Sequence, residues 1–137
     1  MGIVDPLRKR IERRLARSRH DVFLTRDFTT LSDEDQAIRA LRALVAERKL
    51  IRLGKGVYAK AITSQLSGRV LLAHPGGFQA VAEQALDRLG VDWEPSRAQR
   101  EFAQGHSTQI PANPVIRVNG RFSRKLRYGD RELIIEH

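Results

Sequence analysis

The sequence contains no cysteine, which excludes disulfides, thiolate nucleophiles and Cys-ligated zinc or iron–sulfur sites together. It has no apolar stretch near the roughly 18–20 residues that a transmembrane helix needs. Its N-terminus runs into Arg8-Lys9-Arg10 without the apolar h-region of a signal peptide. A cytoplasmic protein with no membrane partner is the expectation. Internal repeats and low-complexity segments are lacking too. Catalytic constellations are equally scarce. His20, His74, His106 and His137 are scattered, none at ligand spacing to another histidine or carboxylate, so no metal or other cofactor is expected. Ser107-Thr108-Gln109 has no base near it in sequence that would mark a nucleophile. Gly54 and Gly56 lack the following helix that a nucleotide-binding fingerprint requires. An enzyme is not expected.

What the chain does have is positive charge. Its 137 residues carry 25 Lys+Arg against 16 Asp+Glu, a formal net charge of +9, which points to a polyanionic partner, nucleic acid ahead of an anionic membrane. Apolar residues make up 41% and charged residues 30%, enough hydrophobicity for a packed globule and unlike a disordered basic tail. The length allows one ordinary domain or two very small ones. The charge is uneven: residues 1–60 hold 15 basic and 8 acidic side chains, residues 61–137 hold 10 and 8.

Asp5 as N-cap and Pro6 in the first turn open a helix whose Leu7, Ile11 and Leu15 form one apolar stripe among arginines. Val22-Phe23-Leu24 reads as a short strand, and Thr25 as the N-cap of a brief helix carrying Phe28 and Leu31. Ser32 caps the next helix, with Asp33, Glu34 and Asp35 in its dipole-favoured first turn. Ala37, Ile38, Leu41, Leu44 and Val45 cluster on one side of it, opposite Ser32, Gln36, Arg39 and Ala43. Leu50–Leu53, Gly54-Lys55-Gly56 and Val57–Ala59 then read as a β-hairpin. Residues 61–77, with four glycines and prolines, are a connector or short extended segment. Val81, Ala82, Ala85, Leu86 and Leu89 mark a further helix ended by Gly90. Val115–Val118, Phe122–Tyr128 and Leu133–Ile135 read as a three-stranded antiparallel meander around Asn119-Gly120 and Gly129-Asp130. Trp93 beside Pro95 reads as a packing anchor between the halves.

The expected class is therefore α+β: a winged helix-turn-helix over residues 1–60, a connector over 61–77, and a small α+β unit over 78–137. Asp27-Phe28, Ala40-Leu41-Arg42-Ala43-Leu44-Val45 and Leu50-Ile51-Arg52-Leu53-Gly54-Lys55-Gly56-Val57-Tyr58 resemble the N-terminal domain of AbiEi-type antitoxins of type IV toxin–antitoxin systems. Ser107 to Pro111, Gly120, Ser123-Arg124 and Gly129 are similar, more loosely, to the segment that follows in short relatives. The resemblance implies an autorepressor that binds inverted repeats in its own promoter. It further implies a nucleotidyltransferase-like toxin as a partner that need not form a stable complex. Fuller members carry a larger C-terminal domain on which neutralisation depends, a departure that bears on the antitoxin role more than on DNA binding.

A winged domain lays its last helix in the major groove and sets wing and flanking helix on phosphates. Gln36 and Arg39 are the candidates for reading adenine and guanine edges. Ser32, Arg42, Arg52 and Lys55 are candidates for the backbone, with Arg10, Arg13, Arg14 and Arg17 from the first helix. A solvated helix paired with Glu34 or Asp35 is the plain alternative for Arg39 and Arg42. Seven cations in the twelve positions from Arg8 to Arg19, with only Glu12 among them, repel one another unless counter-charge is supplied. A second basic group in the C-terminal half, Arg121, Arg124, Lys125 and Arg127 with Arg117 and Arg131, extends a DNA footprint, binds RNA or lines a protein interface. An RNA-associated or enzyme-like protein acting through that group is the alternative function. Two copies on a palindromic site are the expected DNA-bound state.

Overall fold

A computed structural model describes residues 6–97, 100, 101, 105 and 113–137. Asp5 and the Ser107-Thr108-Gln109 segment lie outside them. Helix α1 (Leu7–Arg17) follows Pro6 at the cap position and buries Ile11 and Leu15. Strand β1 (Val22–Leu24) is wholly buried. Thr25–Phe28 is one 3₁₀ turn, and Leu24, not Thr25, occupies its cap position. The Asp27 carboxylate accepts the Leu24 N–H at 2.8 Å, while the Thr25 N–H donates to the Gly56 carbonyl at 3.1 Å. Helix α2 (Glu34–Ala46) starts one residue later than Ser32 implied. Asp33 is its cap and accepts the Gln36 N–H at 2.8 Å. At its other end Arg48 adopts φ 65°. The Arg48 and Lys49 N–H groups then reach the Val45 and Leu44 carbonyls at 3.0 and 2.9 Å, closing a Schellman motif.

Strands β2 (Leu50–Gly54) and β3 (Val57–Thr63) form an antiparallel hairpin, and β1 pairs with the other edge of β3, giving the order β1-β3-β2. Gly56 turns the hairpin at φ +70°. The stretch read as a connector or short extended segment is extended in part: Ala61–Thr63 of β3 pair with β4 (Val70–Leu72), and α3 (Gly77–Arg88) follows. The C-terminal meander requires correction. Strand β6 (Val115–Val118) pairs antiparallel with β5 (Trp93–Pro95) and parallel with β9 (Ile134–Glu136). Arg127–Tyr128 (β7) pair only with Arg131–Glu132 (β8). Parallel neighbours need a long excursion between them, and the β7–β8 hairpin lies within that excursion.

Alternation along the strands divides the core. Phe23, Leu50 and Tyr58 face α1 and α2, packing with Ile11, Leu15, Phe28, Ala37, Leu41 and Leu44. Val22, Leu24, Leu53, Val57 and Ala59 face the other way, onto Phe78, Val81, Ala82, Ala85, Leu86, Ile116 and Leu126. Each fully buried large side chain contributes roughly 1.5–3 kcal/mol, so both faces of the sheet are strongly held. The core thus crosses the 60/61 division, joining residues 22–59 to residues 72–133. Polar contacts add to it: the Gln84 side-chain carbonyl accepts the Asp21 and Val22 N–H groups at 2.7 and 2.9 Å. Asp27 is ion-paired to Arg88. Trp93 anchors β5 to α3, donating to Asp87 at 2.7 Å.

Candidate functional site

A cleft of about 720 Å³ lies between α2, the β2–β3 hairpin and the segment before β7. Helical spacing brings Glu34, Ile38 and Arg42 to one flank of α2, and all three line it. The hairpin contributes Arg52 from β2 and Lys55 from the turn, and the 3₁₀ turn contributes Arg26. The C-terminal half contributes Arg124-Lys125-Leu126. Six cations and one carboxylate therefore share the lining.

The C-terminal wall is held against the hairpin by three features. Leu126 is buried in the core, and its carbonyl accepts the Leu133 N–H at 2.9 Å. Gly54 allows close backbone approach: a Cβ there would stand 2.4 Å from the Lys125 carbonyl oxygen. Arg124 Nη1 donates to the Lys55 carbonyl at 3.3 Å.

Glu34 is the one carboxylate in this lining, against six cations. No ion pair among the described residues involves Arg42, Arg52, Lys55, Arg124 or Lys125. Arg26 donates to a neutral group, the Arg88 carbonyl, at 2.7 Å. Cations gathered around a concave, low-dielectric wall raise the local potential for anions.

A second groove of about 450 Å³ is lined by Arg10, Arg13, Arg14, Arg17, Ser18 and Leu31. The four arginines stand at i, i+3, i+4 and i+7, one face of α1. Arg14 Nη1 donates to the Asp27 carbonyl at 3.0 Å, which sets this face beside the 3₁₀ turn. Arg8, at the start of the basic run, is ion-paired. Arg8 is hydrogen-bonded to Glu47, and that bond raises the guanidinium pKa and holds the Glu47 carboxyl below the ordinary carboxylate range. Glu12 takes Lys49 at 2.6 Å. These pairs clasp α1 to the end of α2.

Gln36 and Arg39 are exposed on α2, yet neither lines the cleft. At about 100° per residue, Arg39 is one step around from Ile38 and Gln36 is about 160° away, on the far flank. Ser32 is half-buried and lines neither groove. The second basic group disperses. Arg124 and Lys125 enter the cleft, Arg117 lies 3.5 Å from Glu94, and Arg121 and Arg127 are exposed outside it. Arg26 was missed by sequence reasoning, because a single arginine in a short turn carries no pattern.

Among the described residues no group of three His, Asp or Glu side chains is placed to hold a metal ion, and no helix is long and apolar enough to cross a membrane. Comparison with curated proteins and with solved structures returned no match. A family profile does match, over residues 10–137. With nearly the whole chain covered, the protein belongs to DUF6088, a family of unknown function.

Proposed function

We propose that this protein is a sequence-specific, duplex-DNA-binding transcriptional repressor built as a winged helix-turn-helix and acting on its own promoter. The reading rests above all on the cleft, in which one flank of α2 and the β2–β3 hairpin jointly present Arg42, Arg52 and Lys55, none of them ion-paired among the described residues. The element order α1, β1, 3₁₀ turn, α2, β2, β3 with sheet order β1-β3-β2 supports it, since a helix set beside a hairpin is what a reading helix and wing require. In this arrangement α2 lies in the major groove and Arg39 reads a guanine edge, with Gln36, about 60° around the helix from it, available for an adenine. Arg42, Arg52 and Lys55 sit on the phosphates beside it, and the α1 groove takes phosphates on the other side of the 3₁₀ turn. The exposed carboxylates of Asp33, Glu34 and Asp35 keep the helix start off the backbone, so the middle of α2 makes the approach.

The resemblance over residues 22–60 adds the role of a type IV antitoxin, bound as a dimer to inverted repeats and opposing a nucleotidyltransferase-like toxin without a stable complex. Cytoplasmic location follows from that role. The DNA reading is tested by gel shift on the gene's own upstream region across a salt series, with Arg39→Ala and Lys55→Ala. Arg39→Ala is expected to relax discrimination at one base position, at about 1–3 kcal/mol. Lys55→Ala is expected to weaken all duplexes alike and lower the salt slope by about 0.9. Sequence-indifferent binding untouched by either substitution would sink the assignment. Co-expression with the product of the adjacent gene tests the antitoxin role.

A further inference from the structure

The winged-helix reading leaves the C-terminal basic segment without a purpose, although the core places it against the wing. Leu126 fixes the segment in depth, and the Gly54–Lys125 approach fixes it along β2. Arg124, bonded to the Lys55 carbonyl, fixes it at the hairpin tip. With the backbone held in this way against the hairpin, the exposed Arg124 and Lys125 line the same cleft as Arg42 and Arg52.

We propose that Arg124 and Lys125 form a second wall of the same phosphate track, so that the C-terminal half is part of the DNA interface and not a separate module. The proposal rests on the DNA reading given above. Its physical basis is that a duplex strand passing along α2 and the wing is held by counter-charge within the cleft, and two cations from a distant part of the chain, neither of them ion-paired among the described residues, add to it. The guanidinium that braces the hairpin keeps further N–H donors for a phosphate, because a single Nη1 bond uses only one of its five. Lys125 makes no such brace and serves as a point charge.

The test is fluorescence anisotropy of the full chain on a random-sequence 30-base-pair duplex across a salt series. The variants are Arg124→Ala, Lys125→Ala, the double variant, Arg124→Lys and Arg52→Ala. Arg69→Ala removes an equal charge from the exposed β3–β4 turn and serves as the control. The double variant is expected to flatten the slope of log K against log salt by about 1.8, two contacts at about 0.9 each. Each single alanine is expected to give about half of that, and Arg124→Lys to keep the wild-type slope because the charge stays. Thermal unfolding of each variant guards against loss of fold, and Lys125→Ala, which breaks no bond to the hairpin, carries the decision if Arg124→Ala unfolds. If Arg124→Ala and Lys125→Ala match Arg69→Ala while Arg52→Ala flattens the slope, the second wall is refuted and the DNA reading stands. If Arg52→Ala also matches the control, the DNA reading itself has failed. A flattened slope on single-stranded RNA with none on the duplex would likewise overturn the proposal.

Discussion

Replacing Gly54 by alanine separates two opposing effects whose balance is set by the C-terminal segment. Gly54 is not among the residues with positive φ. An alanine there would ordinarily stabilise the protein by about 0.4–1 kcal/mol through the smaller entropy of the unfolded chain. In the folded chain, however, the new Cβ would stand 2.4 Å from the Lys125 carbonyl oxygen and 3.2 Å from Leu126 Cδ2. The first contact is with backbone, which cannot rotate away, and the second is with a side chain buried in the core. Overpacking of this kind costs about 1–3 kcal/mol. The net expectation is destabilisation of about 1–2 kcal/mol, or about 3–8 °C in Tm for a chain of this size. Urea and thermal unfolding followed by circular dichroism measure it. A Gly54→Ala protein as stable as wild type, or more so, would show that the segment does not seat against β2, and the second wall of the cleft would go with it.

Asp33→Ala is expected to cost about 0.5–2 kcal/mol because it removes the α2 cap, whereas Ser32→Ala stays within about 0.5 kcal/mol; equilibrium unfolding distinguishes the two, and equal effects would contradict the cap assignment. Arg48→Gly relieves a left-handed backbone at an L-residue and is expected to stabilise by about 0.5–1 kcal/mol in the same assay. Desolvation on α3 raises the Glu83 carboxyl pKa, with nearby Asp87 adding to it and the Gln79 hydrogen bond opposing it. Because the folded chain then holds that proton more tightly than the unfolded one, Glu83 costs stability as pH rises from the ordinary glutamate value through the raised one. Glu83→Gln is expected to raise Tm at pH 7 and leave it unchanged below the ordinary glutamate range; a Tm gain equal at both pH values would rule out titration as the cause.

Local pattern carried the sequence reading through residues 22–60. Strand β1, helix α2 and the β2–β3 hairpin lie close to where apolar spacing and the glycine turn put them, since periodicity and turn chemistry are properties of neighbouring residues. The α2 cap was displaced by one residue because Ser32 and Asp33 are both competent caps, and only the backbone geometry chooses. The buried arc of α2 was also turned. Ala40 is buried while Ile38 is half-buried, because the cleft runs along that side of the helix. Ile38 therefore lies at the rim, Arg42 enters the cleft and Gln36 moves to the far flank. In the C-terminal half, alternation marked β6 and β9 but not their pairing with each other or with β5. A parallel pair across an inserted hairpin leaves no signal in either strand. Nor did anything in the sequence tie Arg124 to Lys55, which are 69 positions apart. Their proximity depends on Leu126 belonging to the core that α3 and the sheet share.

Direct comparison of two affinities bears most closely on the proposed function: that of the full chain for a duplex from its own upstream region, and that for a scrambled duplex of equal length, both at about 150 mM salt. A winged-helix repressor binds the first at least about 10³-fold more tightly, with both affinities falling steeply as salt rises. Equal affinities for the two duplexes would contradict it.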